Sequence, residues 1–381
     1  MAGWWSSFLD IFPWFRKDPS FKLFNRATEA FKQYKSTENL EDLDTALSNF
    51  HLALASRRKT RDDRAHFSLE DILTRYADAL WKRYNKDKSA ANLDKVIKLD
   101  EEVCSIWEQR DETTRPTGYP AKLLDLGSAY FIKYGEARSS AGLFAKVIEK
   151  YDKLLNGKLQ ISGDIRRMGL MKYGVALTTW CDKQEEDRMT PQTKQRLDAG
   201  ISYMEQALNM KMEERTDSAE QNDAARMIRQ QCLFNLAIAH YKRYNDDNSI
   251  AELDKAIGYN QKMLGLISND HADFVYCKFD LAQQLFHKYN HERSLPDTQN
   301  LLDTQPRESR DLGRLVKVKK YANDLLEQIK GRAEYSGMET DLMNFLDTVE
   351  QHHSRSVSRQ SSREGSVARA AGSGSSNGSH T

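Results

Sequence analysis

The chain has 381 residues but only seven prolines and four cysteines, and its glycines are enriched only toward the C-terminus. Cys104, Cys181, Cys232 and Cys277 stand far apart with no C-x-x-C pair, which argues against a zinc knuckle or a disulfide framework and for reduced thiols. No stretch approaches the roughly 18 apolar residues that span a bilayer, and the N-terminus lacks the basic and aliphatic regions of a secretory signal. Ala2 occupies the position where myristoylation needs glycine. A formal net charge of +1 gives no global pull toward nucleic acid or membrane, so any electrostatic partner must come from a local patch. No phosphate-binding G-x-x-x-x-G-K-[ST] loop, G-x-S-x-G elbow or G-x-G-x-x-G turn is present. His287 and His291 lie four apart, yet Lys288 stands where a zinc protease needs its glutamate base. These gaps predict a cytoplasmic protein that is not an enzyme and holds no metal or cofactor, with peripheral membrane association left open.

What the chain does have is 39% hydrophobic and 30% charged residues, a balance that suits helices with one apolar stripe and a broad wet face. It also repeats itself. "RYNKDKSAANLDKVI" begins at Arg83 and "RYNDDNSIAELDKAI" at Arg243, with ten of fifteen positions identical. Aligning on their tyrosine gives a column of Tyr34, Tyr84, Tyr134, Cys181, Tyr244 and Tyr289. Seven residues earlier every unit is small: Ala27, Ala77, Gly127, Gly174, Ala237 and Ala282. Eleven earlier, Leu23, Leu73, Leu123, Leu170 and Leu233 recur, and three earlier stand Phe31, Trp81, Phe131, Tyr241 and Phe286, with Thr178 as the exception. These offsets share one face of a 3.6-period helix, here helix A. The small column lets a second helix approach its backbone. That second helix, B, opens on Leu43-Asp44, Leu93-Asp94, Leu197-Asp198 and Leu253-Asp254, while the third copy reads Leu143-Phe144. Ser89, Ser139 and Ser249 stand at its N-cap, and Ser249 with Glu252 has capping-box spacing. First-turn aspartates suit the helix dipole. Six such hairpins, from about residue 20 to residue 300, predict a helical solenoid.

In these columns the chain resembles tetratricopeptide repeats, whose first helix reads large, small, then aromatic. Its unit is longer than that family's and is similar to degenerate repeat arrays of fungal proteins. The resemblance implies an all-α, right-handed α-solenoid of about six hairpins, and it carries over no catalytic residue. The family's clamp for chaperone tails needs asparagine after the small residue and lysine three before it. Here the first column reads Thr28, Asp78, Ser128, Val175, Ile238 and Gln283, and the second Phe24, Thr74, Leu124, Met171, Phe234 and Phe279, so that mode is disfavoured.

Three surfaces remain for contact. The ends of helices A carry Lys32, Lys82, Arg83, Lys133, Lys242, Arg243 and Lys288, which either complement the helix dipole or form a strip for an acidic peptide. The N-terminal Trp4, Trp5, Phe8 and Phe12 share one helical face, followed by Trp14, and suit a cap on the first hairpin, a membrane anchor or a partner anchor. From His352 the composition turns to Ser, Arg and Gly, which predicts a disordered tail. In it Ser358, Ser362 and Ser366 each follow an arginine by three residues, a spacing read by basophilic kinases. The organisation expected is therefore an aromatic cap or anchor at 1–19, repeats at 20–300, capping helices at 301–350 and a tail at 351–381. The function expected is a scaffold holding a partner segment in the solenoid groove. A peripheral membrane adaptor using residues 1–15 is the alternative, followed by an RNA-associated protein using the Ser/Arg tail, although the small number of arginines there speaks against nucleic acid as a partner.

Overall fold

A computed structural model describes residues 19–60, 68–137, 140–182, 189–210, 219–268, 271–294 and 307–372. The described residues form thirteen α-helices and two 3-10 turns, with no strand. Trp4, Trp5, Phe8, Phe12, Trp14 and Ser139 lie outside them. The chain divides into two compact units, residues 1–184 and 185–381.

In the first unit α1 (Pro19–Thr37) pairs with α2 (Leu40–Thr60), α3 (Leu69–Asp87) with α4 (Ala90–Glu108), and α5 (Tyr119–Glu136) with α6 (Ala141–Asn156). Each B helix also packs on the next A helix, and α7 (Gly163–Asp182) closes the unit on α6 and α5. The second unit runs α8 (Pro191–Asn209), α9 (Ala219–Asp247), α10 (Ile250–Leu264), α11 (Ala272–Ser294), α12 (Arg307–Ile329) and α13 (Ser336–Gly372), each packed on its predecessor. The fourth A and B segments, α7 and α8, thus belong to different units. Helical hairpins are the building block of both.

The sequence columns have direct physical counterparts. All six small residues are buried, and an added Cβ at Gly127 would meet the Tyr151 ring at 2.9 Å. The tyrosine column is buried throughout, Cys181 included. Its members stack on the aromatic three residues back in four units, Phe31–Tyr34, Trp81–Tyr84, Tyr241–Tyr244 and Phe286–Tyr289. The repeated fifteen-residue stretch encodes one turn. Glu38, Lys88 and Asn248 all have left-handed backbone, with φ of 55°, 51° and 55°. Each donates its N–H to the carbonyl of the column tyrosine, Tyr34, Tyr84 or Tyr244, at 2.7 Å. This closes helix A and reverses the chain within two residues.

The start signals of helix B work differently from the expectation. Ser89 and Ser249 occupy N-cap positions without a side-chain cap. Their own N–H groups donate to Asp87 and Asp247 instead, both at 2.9 Å. Glu252 makes no capping box because its carboxylate is engaged by His240 and Lys255. In the third hairpin the N-cap is Ser140.

At the C-terminus α13 runs on through His352 to Gly372, past the point where the composition changes. The packing seam continues there. Val349 is fully buried, the His352 ring stands edge-on to Phe286 at 5.2 Å, and Ser356 Oγ lies 3.2 Å from the Tyr289 hydroxyl.

Candidate functional site

The cations that close helices A form ion pairs across four of the five hairpin junctions. Arg83 Nη1 lies 3.2 Å from Asp44, Lys133 Nζ 2.5 Å from Asp94, Arg243 Nε 3.0 Å from Asp198, and Lys288 Nζ 2.5 Å from Asp254. Each cation immediately precedes its column tyrosine, and each aspartate is the Leu-Asp residue of the preceding B helix. The recurrent Leu-Asp is therefore the anionic half of a junction clamp. One junction departs from this at both ends. The third B helix, capped by Ser140 and so starting one residue later than the Leu143-Phe144 reading expected, puts Phe144 at the leucine position and Ala145 at the aspartate position, and Trp180 replaces the cation on α7. There the Phe144 and Trp180 rings stack at 5.5 Å with 20° between planes. Of the remaining predicted strip residues, Lys82 is exposed and Lys242 lies on the same turn as Arg243.

A second polar system, which sequence reasoning missed, lies inside the first unit. Twelve residues before the column tyrosine, Ile72, Gly169, Cys232 and Cys277 are apolar or small and the first unit has the exposed Lys22, but the third unit has a buried lysine, Lys122. That column is a weak signal, since it holds lysine twice. Lys122 extends from α5 with its side chain 7% exposed, and its Nζ lies 2.7 Å from Asp78, 3.2 Å from Asp100 and 3.9 Å from Asp125. Asp100, on α4, is 1% exposed, and its Oδ1 faces Lys122 as an ion pair without hydrogen-bond geometry. Burial pushes the Asp100 carboxyl up to about 7 against the pull of Lys122, and Asp125 and Asp78 push it the same way. Burial works against the Lys122 charge, but the attraction of Asp100, Asp78 and Asp125 outweighs it and raises its pKa. The outer carboxylates stay accessible, with Asp78 46% and Asp125 42% exposed.

Beside this cluster Lys172 of α7 donates to Ser128 Oγ at 2.8 Å, and burial lowers its pKa against the opposing effect of Asp125. A base beside a hydroxyl can be a nucleophile pair. Here Ser128 donates to the Leu124 carbonyl at 2.7 Å and is buried, so its proton and its lone pairs serve the interior.

The second unit has its own ionic network. His240 is 1% exposed, stacks on Tyr259, and its Nδ1 lies 2.6 Å from Glu252. Glu252 also accepts from Lys255 at 2.8 Å and Arg243 at 3.4 Å. Burial opposes its charge, yet the bonds from Lys255 and His240 prevail and hold the carboxyl at about 2. Burial lowers the pKa of His240 despite Glu252. A cleft of about 270 Å³ adjoins the network, but Lys194 pairs across it with Asp246 and Arg243 with Asp198. Among the described residues no group of His, Cys, Asp and Glu could hold a metal, and His287 is packed edge-on to Tyr241 and Tyr244. Ser358 is exposed on α13, and the backbone of Ser362 and Ser366 continues that helix.

No family model matches the chain, and no curated protein does. Solved structures similar to it include a human IFIT1 dimer with m7Gppp-AAAA, at 11% identity over 84% of this chain and 76% of that one, with a TM-score of 0.27. An IFIT1 monomeric mutant with Gppp-AAAA matches at 11% identity over 89% of this chain and 79% of that one, with a TM-score of 0.26. Superposition this loose assigns no ligand to the present chain, and neither structure lends support to the likeness with fungal repeat arrays.

Proposed function

We propose that the chain is a non-enzymatic scaffold whose first unit holds a cation-bearing segment of another protein between Asp78 and Asp125. The observation that carries this reading is Lys122, a buried charge in a column that four other hairpins fill with apolar or small residues and the first with the exposed Lys22. Junctions are already held by clamps or stacked rings, and buried ion pairs are weak contributors to stability. Three carboxylates surround one lysine, and the two outer ones reach solvent on the face made by helices A. That face attracts a basic segment, whereas the basic strip is largely neutralised by its aspartates, so the acidic-peptide reading gives way to a basic one.

The test compares immobilised wild-type chain with a D78K/D125K variant. Partners that bind the wild type at low salt should be lost from the variant while its helicity and melting are retained; identical partner sets would refute the assignment. The tryptophan-rich residues 1–15 support a second reading, attachment to a lipid surface. Vesicle flotation that survives deletion of residues 1–18 would dismiss it. RNA contact through the four arginines between Arg355 and Arg369 predicts a salt-dependent affinity lost on removal of residues 352–381.

A further inference from the structure

We propose that Ser358 is a phosphorylation site and that its phosphate undocks the last packed turns of α13 from α11. This goes beyond the scaffold reading and does not depend on the first unit. His352 meets Phe286 edge-on at 5.2 Å and Tyr289 at 6.5 Å, but its buried Nδ1 has no hydrogen-bond partner, a loss the contact must carry. One turn later Ser356 Oγ approaches the Tyr289 hydroxyl at 3.2 Å. Ser358 stands two residues beyond that contact and is exposed. Among serines whose side chains are described, only Ser358 follows an arginine, Arg355, by three residues.

The Ser358 hydroxyl donates to the Ser354 carbonyl at 2.9 Å, so it is folded onto its own helix. Attack of Ser358 Oγ on the γ-phosphorus of ATP forms the new P–O bond, breaks the bond to ADP and releases the hydroxyl proton through the kinase's base. The product removes the hydroxyl proton that bonds the Ser354 carbonyl and sets a charge of about −2 against that oxygen. It also draws Arg355 along the helix surface. Loosening this turn removes the cover that His352 and Ser356 give to Phe286 and Tyr289.

The full-length chain is treated with ATP and the catalytic subunit of cAMP-dependent protein kinase, the sites are mapped by tandem mass spectrometry, and amide exchange is followed. Phosphate should appear on Ser358, and segments 282–293 and 345–358 should lose protection about tenfold. The same treatment of S358A, with Ser362 and Ser366 still available to the kinase, should leave protection unchanged. An unmodified Ser358, a phosphorylated Ser358 with unchanged exchange, or equal loss in S358A would each overturn the proposal.

Discussion

The Lys122 network of the first unit and the Glu252 network of the second are both buried, and both join an A helix to a B helix. They differ in which charge is in excess. Lys122 faces three carboxylates, so Asp100 is pushed up to about 7 and two carboxylates are left partly in solvent. Glu252 faces His240, Lys255 and Arg243, so its charge is held down to about 2, with Tyr259 stacked over the histidine. The Glu252 charge is neutralised within its own unit, whereas the first network keeps anionic groups available to a partner. A buried charge cluster is thus no functional signal by itself; the sign and exposure of what is left over decide.

The strongest test of this contrast is to remove Lys122. Lys122→Ala leaves Asp100 buried beside two carboxylates, and the first unit should lose about 3–5 kcal/mol in urea unfolding. The double variant K122M/D100L, with apolar groups of similar size, should return to within about 1 kcal/mol of wild type. Recovery would confirm that the ions are not there for stability; failure would make them structural.

Close packing should separate the units next. Gly127→Ala drives a Cβ into the Tyr151 ring and should cost about 1–3 kcal/mol, whereas Gly258→Ala, with open space at its Cβ, should gain about 0.5–1 kcal/mol from helix propensity. Differential scanning calorimetry of both variants reads the two signs.

The pH response should also have opposite signs. Asp100 titrates near 7 when folded but near about 3.9 when unfolded, so the folded state holds the extra proton and the first unit loses stability as pH rises from about 4 to 7. Glu252 is depressed, so its contribution is complete above about 4.3 and is lost as pH falls toward 2. His240, also depressed, costs the second unit stability as pH falls below about 6.5. Exchange rates corrected for intrinsic chemistry, followed from pH 5 to 7.5, should show protection falling in α3–α5 and rising in α9–α10. In D100N the first of these slopes should flatten.

The smallest effect belongs to the clamps. Asp94→Ala should cost no more than about 0.5–1 kcal/mol, since Lys133 and Asp94 are 36% and 56% exposed, and high salt should erase the difference. The exchange D94K/K133D should restore whatever the single change removes, as measured by a thermal melt.

Much of this architecture is legible in the sequence because packing repeats. The small column, the tyrosine column and the fifteen-residue turn each recur, and periodicity turns a weak local preference into a pattern that noise cannot imitate. The candidate site is less legible. The column of Lys122 holds lysine twice, and only burial, which the sequence does not show, separates Lys122 from the exposed Lys22; Asp100 and Asp125 look like ordinary surface aspartates until α4 and α5 bring them to the same lysine. The basic ends of helices A were visible, but their partners lie 34 to 45 residues away, one hairpin back, so the sequence showed cations without showing that they were paired.

By itself the chain determined that its helices pair in hairpins and where each hairpin turns, since side-chain period, residue size and left-handed turn positions act within a few residues. Tertiary structure alone decided which charges neutralise one another, which stay exposed, that the fourth A and B segments fall in different units, and that α13 docks past the compositional boundary. Those outcomes depend on distances between residues far apart in the chain, and burial, which sets the strength of every charge, exists only once the helices have stacked.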